Sequence, residues 1–252
     1  MQEKIKIGNL DAILHNPKAS GSPGIVMVHG FGGEGLEEEF EDIANNLCRN
    51  GYTVLRFLFE GYGKNNLMDL TISKEMSELK SAIDFLESKN INKEKIGIIS
   101  QSLGCVVSML LNDPRTKAMA MLAPLINIRK SFEKEFEENQ IKEFKTFGYT
   151  IIIRKRKNQK RKLGVGFWNE IKKIDKITKR HIKAINCPLL IIHGTGDQSV
   201  NYRESETIFE WANEPKQLKL IKGGRHVTIR DPKIRKDVNK YILDFFLKYI
   251  EK

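Results

Sequence analysis

Residues 98–105, I-I-S-Q-S-L-G-C, join an apolar, strand-like run to a helix-like run through two serines. A serine nucleophile at a sharp strand-to-helix turn needs a small residue two positions before it and two positions after it. Ser102 meets this requirement through Ser100 and Gly104. Ser100 does not, because the large Ile98 lies two positions before it. Ser102 is therefore the candidate nucleophile, and a helix N-cap is the structural alternative for a serine at this position.

Apolar, β-rich stretches alternate with helical patterns on both sides of this segment. Strands are predicted over residues 4–7, 12–15, 24–28, 53–57, 95–99, 118–122, 188–193 and 217–221, and helices over 36–50, 73–89, 103–111, 202–212 and 232–250. Most of the strand runs are continuously apolar, which is typical of strands covered by helices on both faces. The sequence thus predicts an α/β fold with a mostly parallel, eight-stranded sheet flanked by helices.

The alternation breaks once, between residues 125 and 186, and the charge is concentrated there. This segment holds 18 Lys and Arg against 7 Asp and Glu, a net of +11 that equals the net charge of the whole chain. We expect an inserted cap over 125–186, with the core formed by 1–124 and 187–252. Inside the cap the pattern predicts a charged helix over 129–147 and strands over 149–153 and 163–168 around the basic run 154–162.

The gross composition sets limits on the class of protein. The chain has 252 residues, of which 40% are hydrophobic and 30% charged, as in a globular protein with a substantial core. No apolar run approaches the roughly 18 residues of a membrane span, and we expect no secretory signal. Three scattered cysteines favour a reduced, cytoplasmic protein, and no CxxC pair indicates zinc. No cofactor is expected.

A serine hydroxyl becomes an effective nucleophile when a histidine takes its proton and a carboxylate orients that histidine. In this kind of fold the chain order is serine, acid, histidine. His226 lies in G-G-R-H after the last predicted strand, and Asp197 ends the segment P-L-L-I-I-H-G-T-G-D. His193 precedes Asp197 and does not complete the order. The predicted triad is therefore Ser102, Asp197 and His226.

The tetrahedral intermediate of acyl transfer needs preorganised hydrogen-bond donors. The N–H of Leu103 follows the nucleophile, and the segment H-G-F-G-G at 29–33 offers the N–H of Phe31. We expect these two donors to form an oxyanion hole, with Gly30 in contact with substrate and His29 in a structural role. A simple Gly-rich turn or a phosphate cradle is the alternative for 29–33, but the known nucleotide motifs are absent.

The motifs together resemble the α/β-hydrolase superfamily. They are H-G-F-G-G, L-R-F-L-F-E-G-Y-G-K, S-Q-S-L-G, P-L-L-I-I-H-G-T-G-D-Q-S-V and G-G-R-H, spread in family order over nearly the whole chain. Among its members the chain is similar to capped esterases, a group that includes cinnamoyl/feruloyl esterases, monoglyceride-lipase-like enzymes and serine aminopeptidase-like proteins. The resemblance implies a serine hydrolase that acts through an acyl-enzyme, with the triad and the oxyanion donors named above.

One motif departs from that pattern. Leu58 and Glu60 stand where relatives often have Asp and Arg after the fourth strand. Because that region supports the oxyanion loop in relatives, its hydrogen bonding must be rebuilt here.

The triad alone leaves the substrate open. A small-molecule carboxylic ester is the expected substrate, and a peptide or an acyl thioester is the alternative because the same triad serves all three. A non-catalytic receptor on this fold would predict a broken triad, whereas all three positions are filled. A metal hydrolase built on His29, His193, His226 and Asp197 matches no ligand spacing.

The basic run 154–162 carries seven Lys or Arg in nine residues. It is either a solvated hairpin tip or a surface for an anionic substrate or a membrane, and the lack of interleaved aromatic residues argues against nucleic acid. Phe167 and Trp168 follow the run and either contact the acyl group of the substrate or pack inside the cap. A homodimer is left open.

Overall fold

Strands and helices alternate along the chain in the computed structural model, which describes residues 1–17, 21–33, 35–63, 66–89, 91–154 and 158–250. The strands are β1 (Gln2–Ile7), β2 (Leu10–His15), β3 (Ser22–Val28), β4 (Thr53–Leu58), β5 (Asn66–Leu67), β6 (Ile91–Gln101), β7 (Thr116–Leu122), β8 (Tyr149–Arg154), β9 (Gln159–Gly164), β10 (Leu189–Gly194) and β11 (Lys216–Ile221). The helices are α1 (Glu38–Arg49), α2 (Ile72–Glu87), α3 (Leu103–Leu111), α4 (Ile128–Glu135), α5 (Glu138–Phe147), α6 (Val165–Ile174), α7 (Lys179–Lys183), α8 (Arg203–Trp211) and α9 (Pro232–Tyr249), with a 3₁₀ turn at Thr228–Arg230.

Eight of these strands form one sheet in the order β1-β2-β4-β3-β6-β7-β10-β11. β2 pairs antiparallel with β1 and with β4, and the remaining neighbours are parallel. The predicted fold, a mostly parallel eight-stranded sheet flanked by helices, is confirmed. Because the parallel strands run in one direction, the ends of β6 and β10 and the loop after β11 lie at the same edge of the sheet.

Both faces of this sheet are buried, which explains the continuous apolar runs. Every residue of β3 is buried. Its side chains alternate, so that Ile25 and Met27 pack in a cluster with α1 and α9. Val26 and Val28 pack in the opposite cluster with α2 and α3. Each face thus removes a layer of apolar surface from water, at roughly 25 cal/mol per Å² of area buried.

The single charged helix predicted over 129–147 is wrong. The segment contains two helices, α4 and α5, which are separated at Phe136 and Glu137. Phe136 has extended backbone dihedrals. Glu137 forms a capping box with Gln140 and so begins a new helix. The local capping interaction therefore outweighs the continuous helical pattern of charges.

The strand predicted over 163–168 is also wrong. β9 begins at Gln159 within the basic run and ends at Gly164, so its lysines pair with the isoleucines of β8. From Val165 the chain is helical, and Phe167, Trp168 and Ile171 form the buried side of α6. Their spacing is that of one helix face rather than of an alternating strand. Residues 155–157 of the basic run lie outside the described part of the chain.

β8 and β9 belong to a second, three-stranded sheet with the order β5-β9-β8. The short β5 lies before the segment 125–186, so the proposed cap is joined to the core by strand pairing as well as by side chains. Gly164 approaches the backbone of Met68 so closely that a Cβ there would lie 2.0 Å from its carbonyl oxygen. In the described residues no helix is both long enough and apolar enough to cross a membrane.

Candidate active site

Ser102 lies at the turn between β6 and α3 in a backbone conformation that non-glycine residues rarely adopt. Its φ is 51° and its ψ is −120°, a strained geometry of the kind stored at functional turns. A Cβ on Gly104 would lie 2.5 Å from the carbonyl oxygen of His29. A Cβ on Gly30 would lie 2.9 Å from the Cβ atom of Ser102. The close backbone approach thus explains why a glycine is needed at position 104, two residues after Ser102.

A chain of hydrogen bonds links the three residues of the predicted triad. Nε2 of His226 lies 2.9 Å from Oγ of Ser102. Nδ1 of His226 lies 2.7 Å from Oδ2 of Asp197. Because a carboxylate only accepts hydrogen bonds, Nδ1 carries the proton, and the lone pair on Nε2 faces the serine hydroxyl. The structure therefore brings together at one sheet edge residues that are 124 and 29 positions apart.

Asp197 is held by four hydrogen bonds and is fully buried at its side chain. Its Oδ1 accepts from the N–H groups of Ser199 and Val200 at 2.8 and 2.9 Å. Its Oδ2 accepts from His226 and from His193. Burial alone would raise the pKa of Asp197, but the hydrogen bonds from the two histidines and from the backbone hold it well below its usual value. The carboxylate is therefore ionised at neutral pH.

His193 precedes Asp197 and so does not fit the chain order of the predicted triad, yet it contacts this carboxylate. Its Nε2 lies 3.0 Å from Oδ2 of Asp197 and 3.2 Å from the carbonyl oxygen of Val200. Its Nδ1 lies 2.6 Å from Oγ of Ser205. The two acceptors at Nε2 require a proton there, so Nδ1 accepts from the serine hydroxyl. The i, i+4 spacing of His193 and Asp197 at the end of one strand is the signal that could have identified this support.

The loop at residues 30–33 lies beside Ser102 and is held from below by His29. Nε2 of His29 accepts a hydrogen bond from the N–H of Phe59 at 3.0 Å, and Nδ1 donates to the carbonyl of Gly30 at 2.8 Å. This matches the structural role predicted for His29. The N–H groups of Phe31 and Leu103 donate no hydrogen bond to any residue that the structure describes. Both predicted donors are thus available to a ligand.

A cavity of about 490 Å³ opens over Ser102 and His226. Gly30 and Phe31 form part of its wall, and so do side chains of the segment 125–186, namely Glu135, Phe136, Glu137, Gln140, Ile152, Ile153 and Arg161. This volume lies within the range of small-molecule sites. Among the described residues no group of three or more His, Cys, Asp or Glu side chains is arranged to hold a metal ion.

Residues 22–233 match the family described as Serine aminopeptidase, S33. The chain belongs to this family of α/β-hydrolases. A protein named YfhR from Salmonella typhi, described as uncharacterized, is 26% identical over 223 residues, which cover 84% of this chain and 68% of that protein. The family membership makes the chain a hydrolase and leaves its substrate open.

Solved structures of α/β-hydrolases share the fold. Est1E from Butyrivibrio proteoclasticus superimposes with a TM-score of 0.78 at 20% identity, covering 100% of this chain and 99% of that one. One structure of that protein holds ferulic acid. The α/β-hydrolase GrgF from Penicillium sp. sh18 superimposes with a TM-score of 0.77 at 17% identity over 100% and 99% of the two chains. The predicted resemblance to the α/β-hydrolase superfamily, with its serine aminopeptidase-like members, is confirmed.

In this hydrolase the loop at residues 30–33 is supported by Arg161 of β9, a residue that the sequence pattern does not single out. Its side chain is almost completely buried. Nη1 donates to the carbonyl of Gly32 and Nη2 to the carbonyl of Tyr62, each at 3.1 Å. The guanidinium also lies 5.5 Å from the centre of the Tyr62 ring. Part of the hydrogen bonding to this loop thus comes from segment 125–186.

Phe167 and Trp168 do not line the cavity that contains Ser102. Phe167 is fully buried and stacks on Phe31, with ring centres 5.2 Å apart. Trp168 is 4% exposed and stacks on Phe144. Their expected contact with substrate is wrong because both lie on the inner face of α6. The alternative, packing within segment 125–186, agrees with their burial, and Phe167 also supports Phe31 from behind.

Proposed function

We propose that the protein is a serine hydrolase that cleaves carboxylic esters through an acyl-enzyme, with Ser102 as nucleophile, His226 as base and Asp197 as the orienting acid. The observation that supports this proposal most directly is the hydrogen-bonded chain from Ser102 through His226 to Asp197. The strained turn at Ser102 adds to it, since it presents the hydroxyl at the floor of an open cavity. The likeness to an esterase such as Est1E is in accord with an ester substrate.

In the first step Oγ of Ser102 attacks the ester carbonyl carbon while Nε2 of His226 takes the hydroxyl proton. The resulting imidazolium is stabilised by the buried carboxylate of Asp197. The C–O bond to the alcohol then breaks, and His226 gives its proton to the leaving oxygen. Water attacks the acyl-enzyme in the same way, with His226 taking its proton and returning it to Ser102. The carboxylic acid is released and the enzyme is restored.

Negative charge develops on the carbonyl oxygen in both tetrahedral intermediates. We assign its stabilisation to the N–H groups of Phe31 and Leu103, which have no hydrogen-bond acceptor among the described residues. Removal of one such donor typically costs about 3 kcal/mol in the barrier. Arg161 and Phe167 keep the loop in place from the side of the inserted segment.

The proposal is tested with a fluorophosphonate probe and a nitrophenyl ester. Wild type should be labelled and should hydrolyse the ester. Ser102→Ala should lose both activities, and the matched control Ser77→Ala, an exposed serine on α2, should keep both. If the wild type stays unlabelled and turns over no ester, amide or thioester, a non-catalytic ligand receptor on the same fold takes the place of the proposal.

An aminopeptidase is the second candidate, favoured by two acidic side chains in the cavity wall. Glu135 and Glu137 lie at the junction of α4 and α5 and line the same cavity as Ser102. A carboxylate there would attract the α-ammonium group of an amino acid substrate. Comparison of kcat/KM for aminoacyl anilides and for nitrophenyl esters of similar size separates the two. A preference for the anilide that disappears in Glu135→Gln would favour the peptidase.

We also propose that the protein works in a reducing compartment such as the cytoplasm. Cys48, Cys105 and Cys187 are all unpaired. Burial raises the pKa of the Cys105 thiol to about 12 and that of the Cys187 thiol to about 11, so both remain protonated and weakly reactive. Alkylation of cell extract under denaturing, non-reducing conditions, followed by mass spectrometry of the protein, checks this: all three cysteines should carry the alkyl group.

A further inference from the structure

A second cavity, with a volume of about 520 Å³, lies beside the one that contains Ser102. Helix α4 separates the two. Lys130, Ser131 and Lys134 of that helix line the second cavity, whereas Glu135 lines the first. Ser199 lines both cavities, and its N–H donates to Asp197. The second cavity therefore adjoins the first next to the residue that orients His226.

The second cavity is strongly cationic. Five basic side chains from three separate parts of the chain line it: Lys130, Lys134, Lys176, Lys179 and Arg203. None of the five forms an ion pair with a residue that the structure describes. The acidic side chain in the same wall is Glu204, whose carboxylate already accepts hydrogen bonds from the N–H groups of Ile126 and Asn127. Five basic side chains against one carboxylate give the described lining of this cavity a net charge of +4.

The cavity that contains Ser102 differs in charge. Two acidic residues, Glu135 and Glu137, are balanced there by Arg161 and Arg230. An anionic group would therefore experience little net electrostatic attraction in the cavity that contains Ser102. Five cations around one cavity, in contrast, raise the local concentration of anions, and several ammonium groups can share the oxygens of one phosphate. A substrate that spans both cavities would place its neutral acyl part near Ser102 and its anionic end among the lysines.

We propose that the second cavity is a subsite for the phosphate-bearing end of the substrate that Ser102 cleaves, which makes acyl thioesters of a nucleotide-linked thiol, such as acyl-CoA, the fitting substrate class. This inference rests on the proposed serine hydrolase. Trp211 lies in the same wall and offers a flat ring to a heterocycle. Ser102 attacks the thioester carbon, the C–S bond breaks, and the sulfur leaves with the proton held by His226. Water then releases the acid.

Two thioesters with the same acyl group test the subsite: butyryl-CoA and S-butyryl-N-acetylcysteamine, which lacks the phosphates. We expect wild type to favour butyryl-CoA at least about tenfold in kcat/KM, through a lower KM, since uniform binding of a remote group lowers KM. The preference should shrink as salt is raised from about 0.05 to 0.5 M, because salt screens exposed charges. Equal kcat/KM for the two thioesters would overturn the inference.

The triple variant Lys130→Gln, Lys134→Gln and Lys176→Gln removes charge from the exposed wall of the second cavity. We expect kcat/KM for butyryl-CoA to fall about tenfold or more, with the loss in KM, and that for the short thioester to stay within about twofold. The matched control is Lys233→Gln with Lys236→Gln, two exposed lysines of α9, and it should behave as wild type. An equal loss for both thioesters in the triple variant would contradict a charge-binding role.

Binding of ADP to Ser102→Ala, measured by calorimetry, needs no turnover and so separates this inference from the proposed function. ADP should bind wild type and Ser102→Ala with similar affinity and should bind the triple variant more weakly. It should also compete with butyryl-CoA. If no ester or thioester is cleaved but ADP binds in this way, the proposed hydrolase fails and an anion site remains. If esters are cleaved but ADP does not bind, or binds without competing, the substrate subsite fails and the hydrolase stands.

Discussion

Two regions of the molecule border the cavity over Ser102, and each is held by a different kind of interaction. At the sheet edge, the interactions are hydrogen bonds, and the carboxylate of Asp197 accepts four of them from two histidines and two backbone N–H groups. In segment 125–186, the rings of Phe132 and Phe167 pack on each other and on Phe31 of the loop beside Ser102. These three rings form the ring cluster. A change at the sheet edge should therefore alter the chemistry with little loss of fold, whereas a change in the ring cluster should alter stability first.

The largest effect is expected from Asp197→Asn, which replaces the carboxylate that contacts His226 at the sheet edge and leaves the ring cluster unchanged. An amide cannot hold the proton of His226 on Nδ1, so the lone pair on Nε2 no longer faces Ser102. We expect kcat to fall by about 10³ to 10⁴, measured on a nitrophenyl ester. The thermal unfolding midpoint should change far less than the rate. A decrease of less than tenfold would show that Asp197 does not orient His226.

Phe167→Ala removes one ring from the ring cluster of segment 125–186. Phe167 is fully buried between Phe31 and Phe132, and truncation of a buried phenylalanine costs about 3 to 5 kcal/mol. We expect a loss of that size in the free energy of unfolding, measured by urea denaturation. The matched control is Phe147→Ala, since Phe147 is 64% exposed, and it should change the stability by less than about 0.5 kcal/mol. Equal losses in the two variants would refute the role of the ring cluster.

Arg161→Met tests the link between the two regions. The variant keeps most of the side-chain volume but loses the hydrogen bonds to the carbonyls of Gly32 and Tyr62. We expect kcat to fall by about 10- to 100-fold with a smaller change in KM, because a misplaced oxyanion loop acts on the transition state.

The control for this link is Lys160→Met, because Lys160 is the exposed neighbour of Arg161 in β9. It should keep the activity of wild type. Arg161→Lys should recover only part of the rate, since an ammonium cannot reproduce the fork of a guanidinium. Full activity in Arg161→Met would mean that the core holds the loop without help from segment 125–186.

The smallest effect is expected from His193→Gln, which tests how much the second histidine at the sheet edge contributes through Asp197. One of four hydrogen bonds to Asp197 is altered, and the pKa of that carboxyl should rise toward its ordinary value because a charged form loses a donor. We expect kcat/KM to fall by about tenfold or less at neutral pH, because the other three hydrogen bonds to Asp197 remain and one hydrogen bond to a charged group contributes about 1.5 kcal/mol. A pH–rate profile should show the loss growing as the pH is lowered. A uniform loss at all pH values would point to misfolding instead.

The residues at the sheet edge could be predicted because their signals are local. Ser102 needs small neighbours two positions away, and at Gly104 the reason is that a Cβ would lie 2.5 Å from the carbonyl oxygen of His29. Asp197 and His226 follow apolar strands directly, so their positions at one edge follow from the parallel sheet. The chain order of the three residues then selected them from the other acids and histidines.

Segment 125–186 could be predicted less well because its elements depend on packing. The basic residues of β9 have low strand propensity, and they form a strand because they pair with the isoleucines of β8. The sequence pattern predicts a strand at Phe167 and Trp168, whereas both lie on the buried face of helix α6, where they stack on Phe31 and Phe144. The basic composition marked the segment as distinct but not how it folds.

The sequence by itself determined the layered sheet, the turn at Ser102 and the order of the residues that follow it, because apolar periodicity and steric limits at a turn act over a few neighbouring residues. Only the tertiary structure decided that Arg161 holds a loop 129 positions away and that α4 divides two cavities of different charge. Those contacts depend on how whole helices and strands pack, and no short pattern in the chain records that packing.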